Sequence, residues 1–233
     1  VDTNAGVNGD DGTDTLTNVE ILRFSDQDVA FSALETPITN LSSLAGTNGF
    51  RLDGTAAGDR VGQSVSSAGD INGDGFADVI VGGSQVTAGT ATGPGAAFIV
   101  FGSASGFSAS TDLSTLDGTT GFRLNGVNSG DRAGQFVSGA GDVNGDGLDD
   151  IVVSAITADP DGATNSGAAY VVFGKTSGFS SSINLSSLDG TTGFRLDGVA
   201  NSDTLGILGA PGDIIGDGFD DVVVGAPTVS LDD

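Results

Sequence analysis

The hexapeptide Gly49-Phe-Arg-Leu-Asp-Gly returns as Gly121-Phe-Arg-Leu-Asn-Gly and again as Gly193-Phe-Arg-Leu-Asp-Gly, a period of 72 residues. A fixed period of this length makes each copy one supersecondary unit, unable to bury its apolar surface alone and obliged to stack on its neighbours. The rest of the unit repeats in step. A polar turn, Gly58-Asp-Arg-Val-Gly-Gln or Gly130-Asp-Arg-Ala-Gly-Gln, is followed by an Asp-rich loop beginning at Gly69, Gly141 and Gly212. A short apolar run comes after each loop, and a second run, Ala96–Phe101, is matched by Ala168–Phe173.

These runs read as strands. In the first full unit they fall at about Gln63–Ala68, Asp78–Gly82, Ala96–Phe101 and Phe122–Asn125. The second and third lack polar alternation, which predicts burial on both faces. No long segment has apolar residues at helical spacing, and the 40 glycines favour strands joined by tight turns. The expected fold class is therefore all-β, with β-propeller blades of four antiparallel strands stacked face to face. A linear solenoid is the alternative, though the period is long for one coil. The chain supplies a partial ring of about two and a half blades, with units at 50–121, 122–193 and 194–233. Closing it would need further blades from a longer parent chain or self-assembly of copies.

Composition narrows the function. With 31 acidic residues, 7 basic and a net charge of −24, nucleic acid and anionic membranes are excluded as direct partners. No stretch of about 18 apolar residues exists to span a bilayer, so no membrane insertion is expected. The absence of cysteine removes disulfides and thiolate chemistry, and the absence of histidine removes the commonest general base and zinc ligand. No methionine and no signal-peptide pattern occur, and the chain is read as a piece of a longer polypeptide.

The acidic residues are placed to hold cations. Oxygen-bearing groups fall at alternate positions of the first loop: Asp70, Asn72, Asp74, the backbone carbonyl of Phe76, and Asp78. The second loop offers Asp142, Asn144, Asp146, Leu148 and Asp150. Alternate residues of a tightly curled loop point inward, and oxygen-only ligands, six or seven in number, favour calcium over magnesium. No bidentate Glu follows at position twelve, and a strand replaces the exit helix, so this is no EF-hand. In the third loop Asp213, Asp217, Phe219 and Asp221 keep their places, but Ile215 replaces the Asn. Two strong calcium sites and a third that is weaker or vacant are expected.

The stretch from Val61-Gly-Gln-Ser-Val through the Asp loop to Val79-Ile-Val-Gly-Gly resembles the FG-GAP repeat of integrin α-subunit propellers, and Val224-Gly-Ala-Pro supplies the GAP. The "FG" is degenerate: Val61-Gly62, Ala133-Gly134 and Leu205-Gly206. The resemblance covers residues 48–233. It implies a propeller of about seven blades with calcium between the first and second strands of a blade, and extracellular adhesion or ligand binding. The period looks closest to similar repeats of long bacterial, notably cyanobacterial, surface proteins. Residues 1–35, with Asn8-Gly-Asp-Asp-Gly-Thr-Asp-Thr-Leu, resemble the end of an RTX calcium-binding array of secreted bacterial proteins, with Leu34–Ser43 as the linker to the propeller at 36–233.

Other recurring residues are read structurally. Arg51, Arg123 and Arg195 share one repeat position and are assigned to pairing with nearby loop carboxylates rather than to a ligand-binding row. Asp59-Arg60 and Asp131-Arg132 are assigned to turn salt bridges. Asn40-Leu-Ser and Asn184-Leu-Ser fit a glycosylation sequon but recur through duplication. No clustered carboxylate is left over for a glycosidase pair, so the chain reads as no enzyme. The expected function is a calcium-binding structural or adhesion module of a secreted or cell-surface protein, partnered by calcium and by other surface proteins or extracellular glycans. The alternatives are a lectin-like propeller and a non-catalytic propeller appended to an extracellular enzyme. Against the lectin, there is no tryptophan and Tyr170 is the sole tyrosine.

Overall fold

The apolar runs do form the inner strands. The computed structural model describes residues 43–86, 93–176 and 178–228, and its β-rich unit begins at Leu44. The RTX-like segment and the Asn40 sequon lie outside the described residues. Thirteen strands follow in order: β1 (Arg51–Asp53), β2 (Val61–Gly69), β3 (Asp78–Gly83), β4 (Ala96–Val100), β5 (Ser110–Asp112), β6 (Gly121–Asn125), β7 (Ala133–Gly141), β8 (Asp150–Ala155), β9 (Ala168–Val172), β10 (Ser182–Asn184), β11 (Gly193–Asp197), β12 (Ile207–Gly212) and β13 (Asp221–Gly225). Among the described residues helical structure is confined to 3-10 turns.

The first blade runs β2-β3-β4-β6 and the second β7-β8-β9-β11, each antiparallel throughout. The third unit is the antiparallel pair β12-β13. The four expected strands of each full unit are thus found at the expected places. The chain also contains strands the apolar pattern does not reveal. β5 pairs in parallel with β1, and β10 pairs in parallel with β6. β10, from the connection between β9 and β11 of the second blade, thus adds to the outer strand of the first and ties the two edge to edge, and β5 stands to β1 in the same relation.

Period-two alternation survives inside the doubly buried strands, and it sorts their side chains between two neighbours. Phe98 and Val100 of β4 belong to a core cluster with Leu113 and Leu116, whereas Ala97 and Ile99 join one that includes Val137, Ile151 and Tyr170 of the second blade. Val152 and Val171 of the second blade face Leu208, Val222 and Val224 of the third unit. Each blade is thus sealed by the next, and two-sided burial accounts for the missing polar alternation.

Close approach between first and second blades is made possible by glycine. A Cβ on Gly82 would meet the carbonyl oxygen of Gly134, and one on Gly134 would meet that of Ala96. The backbones of β3, β4 and β7 meet where no side chain fits. No described helix is long and apolar enough to cross a membrane.

Candidate metal loops

The Asp loops connect β2 to β3, β7 to β8, and β12 to β13. Each turns through two left-handed glycines, Gly73 and Gly75 (φ 71° and 89°), Gly145 and Gly147 (76° and 88°), and Gly216 and Gly218 (76° and 91°). Space is open around Gly75 and Gly147, so their requirement is one of backbone conformation.

Within the first loop the carboxylates wrap the backbone. Asp70 Oδ1 accepts from Asp74 N at 3.0 Å and Oδ2 from Gly75 N at 2.8 Å. Asn72 Oδ1 accepts from Asp74 N at 2.9 Å and its Nδ2 donates to Asp74 Oδ2 at 2.9 Å. Asp74 Oδ1 accepts from Phe76 N at 2.9 Å. The second loop reproduces this through Asp142, Asn144 and Asp146, with Gly147 N at 2.8 Å from Asp142 Oδ2 and Leu148 N at 3.0 Å from Asp146 Oδ1. Residues 70, 72 and 74, and 142, 144 and 146, are therefore brought into one curl each.

Asp78 and Asp150 stand apart, at the first position of the following strand and fully buried. Asp78 accepts from Ile71 N at 3.0 Å and from Gly102 N at 2.8 Å, bracing the loop's start against the turn after β4. Asp150 does the same with Val143 N at 2.9 Å and Gly174 N at 2.8 Å. Burial pushes both carboxyls up to about 6 against the pull of those amides, and the neighbouring charges, Asp74 and Asp70 for Asp78, Asp146 and Asp142 for Asp150, push the same way.

The donor set fits a hard cation. Every candidate ligand is oxygen, the carboxylates repel one another, and the two ion pairs among the described residues, Arg51–Asp53 and Arg195–Asp197, lie on outer strands away from the loops. Among the described residues no basic side chain forms an ion pair with a loop carboxylate. Among the described residues no three carboxylates converge closely enough to hold an ion by side chains alone. The structure supplies curled loops whose acidic groups are held in order by their own amides.

The third loop keeps the wrap of Asp213 around Gly216 N (2.6 Å), Asp217 N (3.1 Å) and Gly218 N (2.9 Å), and these amides hold the Asp213 carboxyl below its usual range. Asp217 accepts from Phe219 N at 3.0 Å, and Asp221 Oδ2 accepts from Ile214 N at 2.7 Å. Ile215, in the Asn position, contributes no oxygen and is 71% exposed.

Two residues absent from the expected ligand set prove central. Asp149 Oδ2 of the second blade accepts from Asp70 N of the first at 2.7 Å, and Asp220 Oδ2 accepts from Asp142 N at 2.8 Å. Each carboxylate spans two blades and fixes the start of the preceding loop. Leu148 and Phe219 lie against the preceding loops at Gly73 and Gly145. The doubled Asp at 149–150 and 220–221, set against Ala77-Asp78, was the available signal.

The arginine and turn assignments need correction. Arg51 and Arg195 pair with the carboxylate two residues along their own strand, Nε to Oδ1 at 2.5 and 2.6 Å, not with a loop. Arg123 has Asn125 at that position and lies over the Phe98 ring, 5.7 Å from its centroid. Asp131 is buried and caps its turn through Asn128 N at 2.9 Å, and Asp59 is held by the Thr55 hydroxyl; neither joins an ion pair with the following arginine. Arg60 and Arg132 have left-handed backbones, φ 55° and 59°, and the buried acid serves the turn rather than the neighbouring guanidinium.

Comparison with known proteins finds the same repeat. Integrin alpha-4 of Xenopus laevis is 30% identical over 181 residues, which is 76% of this chain and 15% of that protein. Phosphatidylinositol-glycan-specific phospholipase D of Bos taurus is 30% identical over 197 residues, 84% of this chain and 22% of that protein. The chain spans less than a quarter of either relative. The FG-GAP repeat profile matches residues 61–100 and 133–172, from the start of β2 to the end of β4 and from the start of β7 to the end of β9, and leaves the third unit unmatched. The first two Asp loops thus lie at the centre of two FG-GAP repeats.

Proposed function

We propose that this chain is a calcium-rigidified structural module of an extracellular or cell-surface protein, with adhesion as the role of the whole. The observation that carries it is the repeated loop. Two curls built on the same wrap of amides each hold three oxygen-bearing side chains, form no ion pair among the described residues, and are pinned to the next blade by Asp149 or Asp220. A cation bound at Asp70, Asn72, Asp74, the Phe76 carbonyl and Asp78 would neutralise the loop and stiffen the contact between blades. Asp142, Asn144, Asp146, Leu148 and Asp150 would serve a second ion, and Asp213, Asp217, Phe219 and Asp221 a weaker third. Nothing in this reading asks the module to catalyse a reaction.

A second reading is supported by the phospholipase D relative: a propeller of this kind appended to an extracellular enzyme, with catalysis in another part of the parent chain. Both readings give calcium the same task. Tyr170, the sole tyrosine, is buried, which removes it as a sugar platform.

The test is a thermal melt in excess EDTA, in millimolar calcium and in millimolar magnesium, with calcium stoichiometry from calorimetry. At about a hundredfold excess over Kd each site adds about 2.7 kcal/mol. Two sites then raise Tm by about 10–20 °C in a chain of this size. Equal melts in EDTA and calcium would return the loops to the status of ordinary turns.

A further inference from the structure

Three arginines occupy one repeat position, and one of them lacks the environment of the others. Arg195 of β11 has Asp197 beside it, with Nη2 2.8 Å from Oδ2, and stands opposite Tyr170 across the β9–β11 ladder. Arg123 of β6 faces Phe98 across the β4–β6 ladder. Both polar partners are exchanged in the first blade: Asn125 stands where Asp197 does, and Phe98 where Tyr170 does. Asn125 is itself committed across the blade boundary, its Nδ2 donating to Asn184 Oδ1 at 3.0 Å. The consequence is a buried Arg123 Nε with no hydrogen-bond partner. A guanidinium without an internal carboxylate gains from an incoming one, because charge-assisted bonds are the strong ones.

Arg123 lines a pocket of about 460 Å³, within the range of small-ligand sites, about 300–1,000 Å³. Phe98, Leu113 and Leu116 give it an apolar wall, Ser114 and Ser182 add polar positions, and Asp59 lies on the lining as well. The Asp59 carboxylate acts electrostatically on Arg123 without pairing with it, and is itself buried and held by the Thr55 hydroxyl. A bare anion would meet that charge. A ligand with a carboxylate at one end and hydroxyl donors at the other satisfies Arg123 and Asp59 together.

We propose that this pocket binds a hydroxylated carboxylic acid of the size of one sugar unit, with its carboxylate on Arg123 and its hydroxyls toward Asp59 and the serines. The site is distinct from the calcium loops and does not rest on their assignment. A hexuronic acid, free or at the end of a glycan, has the required chemistry. The second blade cannot offer the same site, since Asp197 already occupies the equivalent arginine.

Glucuronic acid is the probe, titrated by ligand-observed NMR and calorimetry in calcium and again in EDTA, with folding followed by circular dichroism. Glucose, the methyl ester of glucuronic acid and N-acetylaspartate are the controls. Saturable binding of glucuronate is expected, weaker by about tenfold or more for the uncharged glucose and ester. Arg123→Gln should lose it. Asn125→Asp should weaken it by about tenfold while keeping the folded circular dichroism spectrum, because it gives Arg123 the internal carboxylate that Arg195 already has; the lost bond to Asn184 shows only in the melt. Equal binding of glucose, preferential binding of N-acetylaspartate, no binding by a folded chain, or binding untouched by Asn125→Asp would each overturn the proposal. A melt unmoved by calcium alongside intact glucuronate binding would break the calcium reading and leave this one standing.

Discussion

The second blade and the third unit begin with the same loop and end differently. In the second blade Asp150 is completely buried and receives two amides, one from the loop and one from Gly174 beyond β9. Asp221 starts β13 in the same way, yet its amides come from Ile214 and Ile215 alone, because no third strand follows among the described residues. The side chains follow suit. Ile71 of the first loop is 0% exposed beneath the second blade, whereas Ile214, its counterpart, is 61% exposed. Similar local sequence therefore acquires a core position only when a following blade covers it. Loop geometry is local, and loop stability is lent by the neighbour.

The largest effect that could break this comparison is at the buried acid. Asp150→Asn keeps the size of the side chain but turns an amide donor toward a backbone N–H that needs an acceptor. In EDTA the substitution should cost about 2–3 kcal/mol, a fall in Tm of about 5–10 °C, and it should also remove one calcium from the stoichiometry. Asp221→Asn, with no counterpart to the Gly174 amide, should cost less than about 1 kcal/mol. Paired melts of the two variants decide it. Equal losses would mean that the covering blade contributes nothing to the latch.

The carboxylate that crosses between blades comes next. Asp149→Ala leaves Asp70 N without its 2.7 Å acceptor, and a cost of about 1–2 kcal/mol is expected. Calcium affinity of the first loop should fall with it, although Asp149 belongs to the second blade. Ala77→Asp places the same carboxylate on the first blade, at an exposed position. Its melt should match the parent within about 0.5 kcal/mol. A loss at Ala77→Asp as large as at Asp149→Ala would reduce Asp149 to a local turn residue.

The legible and illegible parts of the fold divide along the same line. Strands such as Ala96–Val100 could be read because two-sided burial leaves an uninterrupted apolar run, and the curl of Asp70, Asn72 and Asp74 because its spacing is fixed within a few residues. Strands β5 and β10 could not. Ser110–Asp112 and Ser182–Asn184 are short, largely exposed and polar at both ends, and they are strands only because a neighbouring unit offers an unpaired edge. Asp149 and Asp220 escaped for a related reason: their partners lie on another blade, far away in sequence. Arg123 was misplaced with its repeat mates because its surroundings depend on Asn125 and Phe98, two departures from the repeat that matter only once the strands are paired.

The smallest change in stability should carry the sharpest change in binding. Ile215 is 71% exposed and supports no core, so Ile215→Asn should alter the EDTA melt by less than about 0.5 kcal/mol. The loop around it is otherwise built like the second, since Asp213 already gathers the amides of Gly216, Asp217 and Gly218 as Asp142 gathers those of Gly145, Asp146 and Gly147. Restoring the oxygen at this position should therefore raise calcium binding at the third loop toward that of the others, read as a gain of up to one ion in calorimetric stoichiometry. If the added oxygen leaves the third loop as it was, the limiting difference is burial: with Ile214 61% exposed and Asp221 held only by the amides of Ile214 and Ile215, a complete set of ligands is still an incomplete site.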